Sequence, residues 1–289
     1  MSEPNDTYAI IGDPVEHSLS PLLHSFIYRQ LNLPYNYRKI RIPANRLKEF
    51  IINCREDNLQ GFNVTIPHKE AIISFLDELD PKAEFIGAVN TVKKEYSILT
   101  GYNTDVIGCK TALDKSSWPG TGKVVILGAG GACRSALIAL SNFALSSVHI
   151  VNRTLEKAVK LKKQFSHYVK FDIYAENLTL ETIGNLLKQA SLLINTTPVG
   201  MWPHIQDSPI PDLAVLPDHL TIFDMVPNPV YTTLLRQAEK KGVNIISGLS
   251  MLISQALAAQ EIWLDRTLPE TLYTELWSYV NNKMSKQHG

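Results

Sequence analysis

The sequence lacks what would anchor, export or staple a chain. It has no run of about 18 consecutive apolar residues, so no transmembrane helix is predicted. The polar stretch Met1 to Tyr8 has neither the basic segment nor the apolar core of a secretory leader. Cysteines number 3 and stand far apart, at Cys54, Cys109 and Cys133, with no Cys-x-x-Cys pair. Such a set is neither a disulfide framework nor a zinc site, so no metal is expected and a reducing compartment is. Charge of one sign is also lacking: 28 Lys and Arg balance 28 Asp and Glu. That argues against a strongly basic nucleic-acid binder, and Glu239-Lys240-Lys241-Gly242 reads as a solvated helix end with its glycine cap. There is no internal repeat and no low-complexity tract, and only Ser285 to Gly289 is expected to fray. The absences together predict a soluble cytoplasmic protein without nucleic-acid or membrane partners; a monomer and a homodimer both fit.

What is present is a chain of 289 residues, 45% hydrophobic and 19% charged, which suits about two compact domains. Strand-like and helix-like segments alternate, which points to α/β. Strands are predicted at 8–11, 37–42, 61–65, 88–92 and 96–100. Helices are predicted from Ser20-Pro21, over 46–56, and from Asp80-Pro81, with Ser20 and Asp80 as N-caps and proline at the first helical position. A turn-rich segment from Ser116 to Gly122 then leads into a second pattern. There the strand Lys123–Leu127, the turn Gly128-Ala129-Gly130-Gly131-Ala132, a helix over 134–145 and the strand Val148–Val151 make one β-α-β unit. Further strands are predicted at 192–194, 222–224 and 243–246, a long helix over 249–264, and a last helix opening at Pro269.

A glycine turn between a strand and a helix lets backbone approach a pyrophosphate, which then meets the free N–H groups at the helix start. Gly128, Gly130 and Gly131 stand where that mechanism needs them, with Cys133 at the last position of the pattern. A dinucleotide-binding turn is therefore predicted. The end of the next strand selects the dinucleotide, and an NAD site usually carries Asp or Glu there to hold the ribose hydroxyl. Here Asn152-Arg153-Thr154 offers no carboxylate. Arg153 can pair with a 2′-phosphate and Thr154 can donate a hydroxyl, which favours NADP; the bland alternative is a surface arginine beside a helix cap.

Several segments of the first half are too polar for their apolar flanks. They are His17-Ser18-Leu19-Ser20-Pro21, Asn63-Val64-Thr65-Ile66-Pro67-His68-Lys69, Gly87-Ala88-Val89-Asn90-Thr91 and Gly101-Tyr102-Asn103-Thr104-Asp105. Singly, Ser20 and Asp105 are cap residues, Asn63 and Thr65 turn residues, and Lys69 a solvated lysine. Together they predict a wall rich in hydroxyls and amides, suited to a small polyhydroxylated ligand.

These motifs resemble the shikimate dehydrogenase family in order and spacing. The resemblance runs from about Tyr8 to Trp263 and takes in the glycine turn, Asn152-Arg153-Thr154, Asn195-Thr196-Thr197-Pro198-Val199-Gly200-Met201 and Gly248-Leu249-Ser250-Met251-Leu252-Ile253-Ser254-Gln255. It implies a two-domain α/β enzyme with a cleft between domains: a Rossmann-like, doubly wound NADP domain over 106–247, and a discontinuous α/β substrate-binding domain over 1–105 and 248–289. It implies NADPH-dependent, reversible reduction of 3-dehydroshikimate to shikimate, in the route to chorismate and the aromatic amino acids.

Residue roles follow from the same match. Lys69 and Asp105 are implied as the catalytic pair. Ser18 and Ser20 would hold the substrate carboxylate, and Asn63, Thr65, Lys69, Asn90, Asp105 and Gln255 the rest of the substrate. Gly128, Gly130, Gly131 and Ala132 would meet the pyrophosphate, Asn152, Arg153 and Thr154 the 2′-phosphate, and Thr196, Pro198, Met201 and Gly248 the nicotinamide. The chemistry is sound by itself: hydride addition to a ketone leaves an alkoxide, and a protonated lysine can supply its proton. One position departs from the family. Where it usually reads Asp-x-x-Tyr-x-Pro, this chain reads Asp224-Met225-Val226-Pro227-Asn228-Pro229, so Pro227 replaces a tyrosine implied near the substrate carboxylate. A quinate or quinate/shikimate dehydrogenase using NAD or NADP is the neighbouring alternative. A non-catalytic NADP-binding sensor is the distant one.

Overall fold

The computed structural model describes residues 8–210 and 216–285. The polar start (Met1–Thr7) and the residues after Ser285 expected to fray lie outside them. The chain divides into two compact units, Met1–Asp105 with Leu252–Gly289, and Val106–Met251. The second boundary thus lies a few residues beyond the expected 247/248. The start of the helix at Gly248 belongs with the second unit, where a Cβ on Gly248 would stand 2.5 Å from the Val226 carbonyl oxygen.

The first unit is built on strands β1 (Tyr8–Gly12), β2 (Tyr37–Arg41), β3 (Gly61–Val64), β4 (Glu78–Leu79), β5 (Thr91–Glu95) and β6 (Ile98–Tyr102), in the order β2-β1-β3-β5-β6-β4. β1 runs parallel to β2 and β3, whereas β5 is antiparallel to both β3 and β6. Side chains alternate across a strand, and β1 shows it. Ala9 and Ile11 enter a core with Phe62, Val64, Val92 and Leu99, while Tyr8 and Ile10 face Tyr28, Tyr37 and Trp263. Helices α1 (Ser20–Gln30), α2 (Leu47–Cys54) and α3 (Pro81–Ile86) connect the strands. Asp80 caps α3, its carboxylate accepting from Lys82 N and Ala83 N. Ser20 does not cap α1. It is the first helical residue, and its own N–H donates to Ser18 Oγ at 3.2 Å, so the turn is closed one step earlier.

The helix α4 (Asp105–Asp114) leads from the first unit into the second, which carries strands β7 (Thr121–Leu127), β8 (Ala144–Asn152), β9 (Asp172–Asn177), β10 (Ala190–Asn195), β11 (Thr221–Asp224) and β12 (Asn244–Ser247). All are parallel, in the order β12-β11-β10-β7-β8-β9. Counted from β7, this is the dinucleotide-binding order, with its reversal point between β7 and β10. Helices α5 (Gly131–Leu140), α6 (Leu155–Phe165), α7 (Leu180–Leu187) and α8 (Thr233–Lys240) cover the strands. α7 and α8 place Ile183, Leu187, Leu234, Leu235 and Ala238 on Val125, Leu127, Leu193 and Ile222. A sheet covered by helices reads as continuous apolar runs, which is why β7 and β10 were visible in the sequence. α5 stops at Leu140 and not at Leu145. Ser141 Oγ and Asn142 Nδ2 donate back to the Ile138 and Ala139 carbonyls at 2.7 and 3.1 Å, ending the helix and freeing Ala144 for β8. The helix α9 (Gly248–Leu264) and α10 (Thr271–Ser285) complete the chain. Among the described residues no helix is long and apolar enough to cross a membrane.

Candidate active site

The topology of the first unit gathers its polar motifs at one edge of the sheet. β1 and β3 are parallel and end together at Gly12 and Val64. β5 runs the other way, so its first residue, Thr91, lies opposite Asn63, and the last residue of β6, Tyr102, lies opposite Thr91. The four segments that follow or precede these ends carry Ser18 and Ser20, Thr65 to Lys69, Asn90, and Asn103 to Asp105.

At the centre, Lys69 Nζ donates to Asp105 Oδ2 at 2.6 Å. The lysine side chain is 23% exposed and the aspartate 6%. The Lys69 backbone is fixed by Val89 N, which donates to its carbonyl at 2.8 Å. Neighbouring His68 is buried, its Nε2 2.6 Å from the Ile42 carbonyl, so the turn that presents the lysine is tied to the sheet. Asp105 Oδ1 accepts from Asn90 Nδ2 at 2.8 Å. The same amide nitrogen reaches Gln255 Oε1 at 3.1 Å, which draws α9 into the group and leaves the Gln255 amino group unengaged by the described residues. Asn63 Nδ2 donates to Thr91 Oγ1 at 3.0 Å. Asn63, Lys69, Asn90, Asp105 and Gln255 therefore stand in one network. Ser18 Oγ donates to Ser20 Oγ at 3.1 Å, pairing those two hydroxyls. The side chain of Thr65 hydrogen-bonds to no described residue; its N–H donates to the Ile11 carbonyl at 2.9 Å. Thr91, Asn103 and Thr104 lie within the polar motifs, though the resemblance implies no role for them. Thr104 N donates to Asn90 Oδ1 at 2.7 Å, and Asn103 Nδ2 to the Ala88 carbonyl at 2.8 Å, so they set the shape of the wall.

In the second unit the turn after β7 lies at the reversal point. Gly128 has φ +102°, and a Cβ there would stand 2.7 Å from Thr196 Oγ1, so glycine alone fits without strain. Thr196 Oγ1 donates to the Leu127 carbonyl at 2.7 Å, and Gly128 N to the Val151 carbonyl at 2.9 Å. The glycine turn is thus stitched to the ends of β10 and β8. A Cβ on Gly130 would meet nothing within 4 Å. The N-terminus of α5 behind it has no side-chain cap and no acidic residue in its first turn. Open space in front of uncapped N–H groups fits a phosphate, and Gly131 and Ala132 are the first residues of that helix.

At the end of β8, Asn152 Nδ2 donates to the Thr154 carbonyl at 2.8 Å and closes a turn around Arg153. Arg153 is exposed and forms no ion pair with a described residue. Pro198 and Met201 lie in the turn after β10, joined by Met201 N to the Pro198 carbonyl at 3.1 Å; Met201 is half-buried. Asp224, fully buried at the end of β11, accepts from Thr232 Oγ1 at 2.6 Å, Asn195 Nδ2 at 2.9 Å and Val226 N at 3.1 Å. Burial nevertheless pushes its pKa up to about 6, against the pull of those donors. Asn195 Oδ1 accepts from Thr197 Oγ1 at 2.7 Å, so this knot holds the turn that carries Thr196 and Pro198. Pro227 is half-buried, and Tyr231 is 46% exposed. Among the described residues no cluster of three His, Cys, Asp or Glu side chains is placed to hold a metal ion.

A family model described as the shikimate dehydrogenase substrate binding domain matches residues 10–92, and one described as shikimate / quinate 5-dehydrogenase matches residues 111–210. The shikimate dehydrogenase (NADP+) of Methanothermobacter thermautotrophicus is 38% identical over 274 residues, which is 95% of this chain and 96% of that protein. The chain belongs to the shikimate dehydrogenase family. Two solved members of the family are similar along their whole length. A shikimate dehydrogenase in complex with NADP+ has a TM-score of 0.83 at 35% identity, covering 96% of each chain. Shikimate 5-dehydrogenase from Thermus thermophilus, in complex with NADP(H) and shikimate, has a TM-score of 0.81 at 34% identity, over 94% of this chain and 98% of that one. The names of these family members favour shikimate over the quinate alternative.

Proposed function

We propose that the protein catalyses the reversible, NADPH-dependent reduction of 3-dehydroshikimate to shikimate, a step towards the aromatic amino acids. Residues 1–105 with the C-terminal segment form the substrate-binding domain, and the middle of the chain the NADP-binding domain. The observation that carries the reading is the Lys69–Asp105 pair, bonded at 2.6 Å inside a wall of amides and hydroxyls. A cytoplasmic setting belongs to the same reading and is supported by three buried free thiols.

NADPH, when bound, supplies the hydride that reduces the ketone. The oxygen that gains negative charge then needs a proton and a nearby cation. Lys69 has spent one ammonium donor on Asp105 and keeps two for a ligand. It is the proton donor in reduction and the acceptor in the reverse direction. Asp105 holds the ammonium in place and presents carboxylate lone pairs to a ring hydroxyl, while Asn90 fixes the carboxylate from behind. Asn63, Thr65 and Gln255 complete the hydroxyl-binding wall, and the Ser18–Ser20 pair accepts the substrate carboxylate. In the nucleotide domain, Gly128 to Ala132 take the pyrophosphate, Asn152, Arg153 and Thr154 the 2′-phosphate, and Thr196, Pro198, Met201 and Gly248 border the nicotinamide. Pro227, with neither a hydroxyl nor an N–H, donates no hydrogen bond to the substrate carboxylate, so Ser18 and Ser20 carry that contact.

The test is Lys69→Ala. Loss of an acid–base group should lower kcat by about 10²–10⁴-fold, with KM for shikimate within a few-fold. An unchanged kcat would remove Lys69 from the chemistry while leaving the activity itself in place.

A further inference from the structure

Tyr37 lies in β2, outside every motif that the sequence offered as a site. It is 4% exposed, and its hydroxyl donates to Asn63 Oδ1 at 2.7 Å. From there hydrogen bonds run in one direction. Asn63 Nδ2 donates to Thr91 Oγ1 at 3.0 Å, Thr91 Oγ1 to Asn90 Oδ1 at 3.1 Å, and Asn90 Nδ2 to Asp105 Oδ1 at 2.8 Å. Asp105 Oδ2 takes the last bond, from Lys69.

The direction is imposed by groups whose polarity cannot change. The Asn90 backbone carbonyl only accepts, so the Asn63 atom 3.2 Å from it is the amide nitrogen, and the Asn63 oxygen must face Tyr37. The Thr104 backbone N–H only donates, so the Asn90 atom 2.7 Å from it is the amide oxygen, and the Asn90 nitrogen must face Asp105. The ends are fixed as well. Asp105, paired with the ammonium, is an acceptor. Tyr37 must be a donor, and burial first, with Tyr28 adding to it, raises its pKa well above the ordinary value even though Ser20 opposes the rise. Its ring is held by His24, stacked at 4.1 Å with 6° between the planes. Burial lowers the His24 pKa to about 3, so no charge arises there near neutrality.

We propose that Tyr37 is a positioning residue: its hydroxyl seats the Asn63 side chain in the ligand wall and heads the hydrogen-bond chain that runs through Thr91 and Asn90 to Asp105. This rests on the reading that the wall binds shikimate. Without the Tyr37 donor, the buried Asn63 oxygen loses its hydroxyl partner and keeps only the neighbouring His24 ring, while the nitrogen stays on the Asn90 carbonyl and Thr91, so the side chain is less firmly seated.

The experiment is a double-mutant cycle of Tyr37→Phe and Asn63→Ala, read by calorimetric binding of shikimate and by steady-state KM and kcat. A hydrogen bond to a buried amide that also serves a ligand predicts about a tenfold weaker Kd for Tyr37→Phe, with KM following Kd more closely than kcat does. In the Asn63→Ala background the same change should shift Kd by less than about twofold, because the relayed contact is already gone. Equal losses in both backgrounds would mean that Tyr37 only packs, and an unchanged Kd in Tyr37→Phe would overturn the proposal outright. Should Tyr37→Phe not fold, Thr91→Val and Thr91→Ser cut or keep the next link. The chain predicts weaker binding for valine and near-parent binding for serine, and equal effects would contradict it. A parent protein that does not bind shikimate fails the functional reading itself, whereas a parent that binds with an additive cycle fails this inference alone.

Discussion

Arg153→Ala tests the nucleotide assignment with a magnitude that the structure limits from both sides. The turn that carries Arg153 is closed by Asn152 Nδ2 on the Thr154 carbonyl at 2.8 Å, a bond that does not involve the arginine side chain. The guanidinium is exposed and has no carboxylate partner among the described residues, so its removal leaves nothing buried or unpaired. The fold should be unaffected. A charged hydrogen bond contributes about 1.5–3 kcal/mol, and exposure to water and salt pulls the value to the low end. At about 1.4 kcal/mol per tenfold, NADP+ binding should weaken by about 10–30-fold. NAD+ has no 2′-phosphate and should lose less than about twofold, so the ratio of the two kcat/KM values is the informative number. The assay is initial rates of shikimate oxidation at varied NADP+ or NAD+, with 2′-phosphorylated and unphosphorylated adenosine 5′-phosphate as calorimetric probes. The NADP+ advantage of the parent should also shrink with added salt, since the contact is at the surface. An equal loss for both nucleotides, or no loss for NADP+, would refute the reasoning.

The other predictions separate folding from binding. Gly128→Ala forces a side chain into a φ of +102° and to 2.7 Å from Thr196 Oγ1, and should cost about 2 kcal/mol, or about 4–8 °C in Tm. Gly130→Ala adds its methyl to open space, so Tm should hold within about 1 °C while the KM for NADP+ rises about tenfold. Thermal melts and kinetics on both variants check the contrast, and equal Tm losses would contradict it. Asp224 carries a pH signature. Its pKa is raised from 3.8 to about 6 on folding, so its contribution is fully present below about pH 4 and is lost as pH rises through about 6. Asp224→Asn keeps the acceptor for Asn195 and Val226 and removes the titration. Its stability relative to the parent should climb by about 3 kcal/mol in all as pH rises from about 3 to about 7, about 2 kcal/mol of it between pH 4 and 6, and stay flat beyond. Denaturant melts at each pH read this, and a constant difference would show that burial does not dominate at that carboxylate.

How far the sequence could be read depended on how local the cause was. β7, the glycine turn and α5 were visible because an apolar run and glycines at fixed spacing are local properties. The end of α5 was not, because Ser141 and Asn142 stop it by side-chain bonds that hydrophobic periodicity does not register. The hairpin of β5 and β6 was displaced along the chain for a similar reason. Asn90 faces the amide network and not a strand, and Tyr96, at φ +58° and 98% exposed, forms the tip. β9, with half-exposed Tyr174 and a charged flank, offered no run to see. In the candidate site, Lys69, Asn90 and Asp105, which the structure joins in one network, were legible because each lies in a short motif. The hydrogen bonds of Tyr37, Thr91 and Thr104 to that network were not, because they exist only once β2, β3, β5 and β6 lie side by side. Ser20 was misassigned as a cap because Ser18, two residues earlier, performs the turn closure that was given to it.

The most direct test of the central claim is a matrix of initial rates followed by nicotinamide absorbance: shikimate or quinate, each with NADP+ or NAD+, on the purified full chain. The account predicts strong turnover with shikimate and NADP+ and far weaker turnover in the other three combinations. That result would also show that proline at position 227 is compatible with the activity. Turnover led by quinate or by NAD+, or no turnover in any combination while NADP+ still binds, would contradict it.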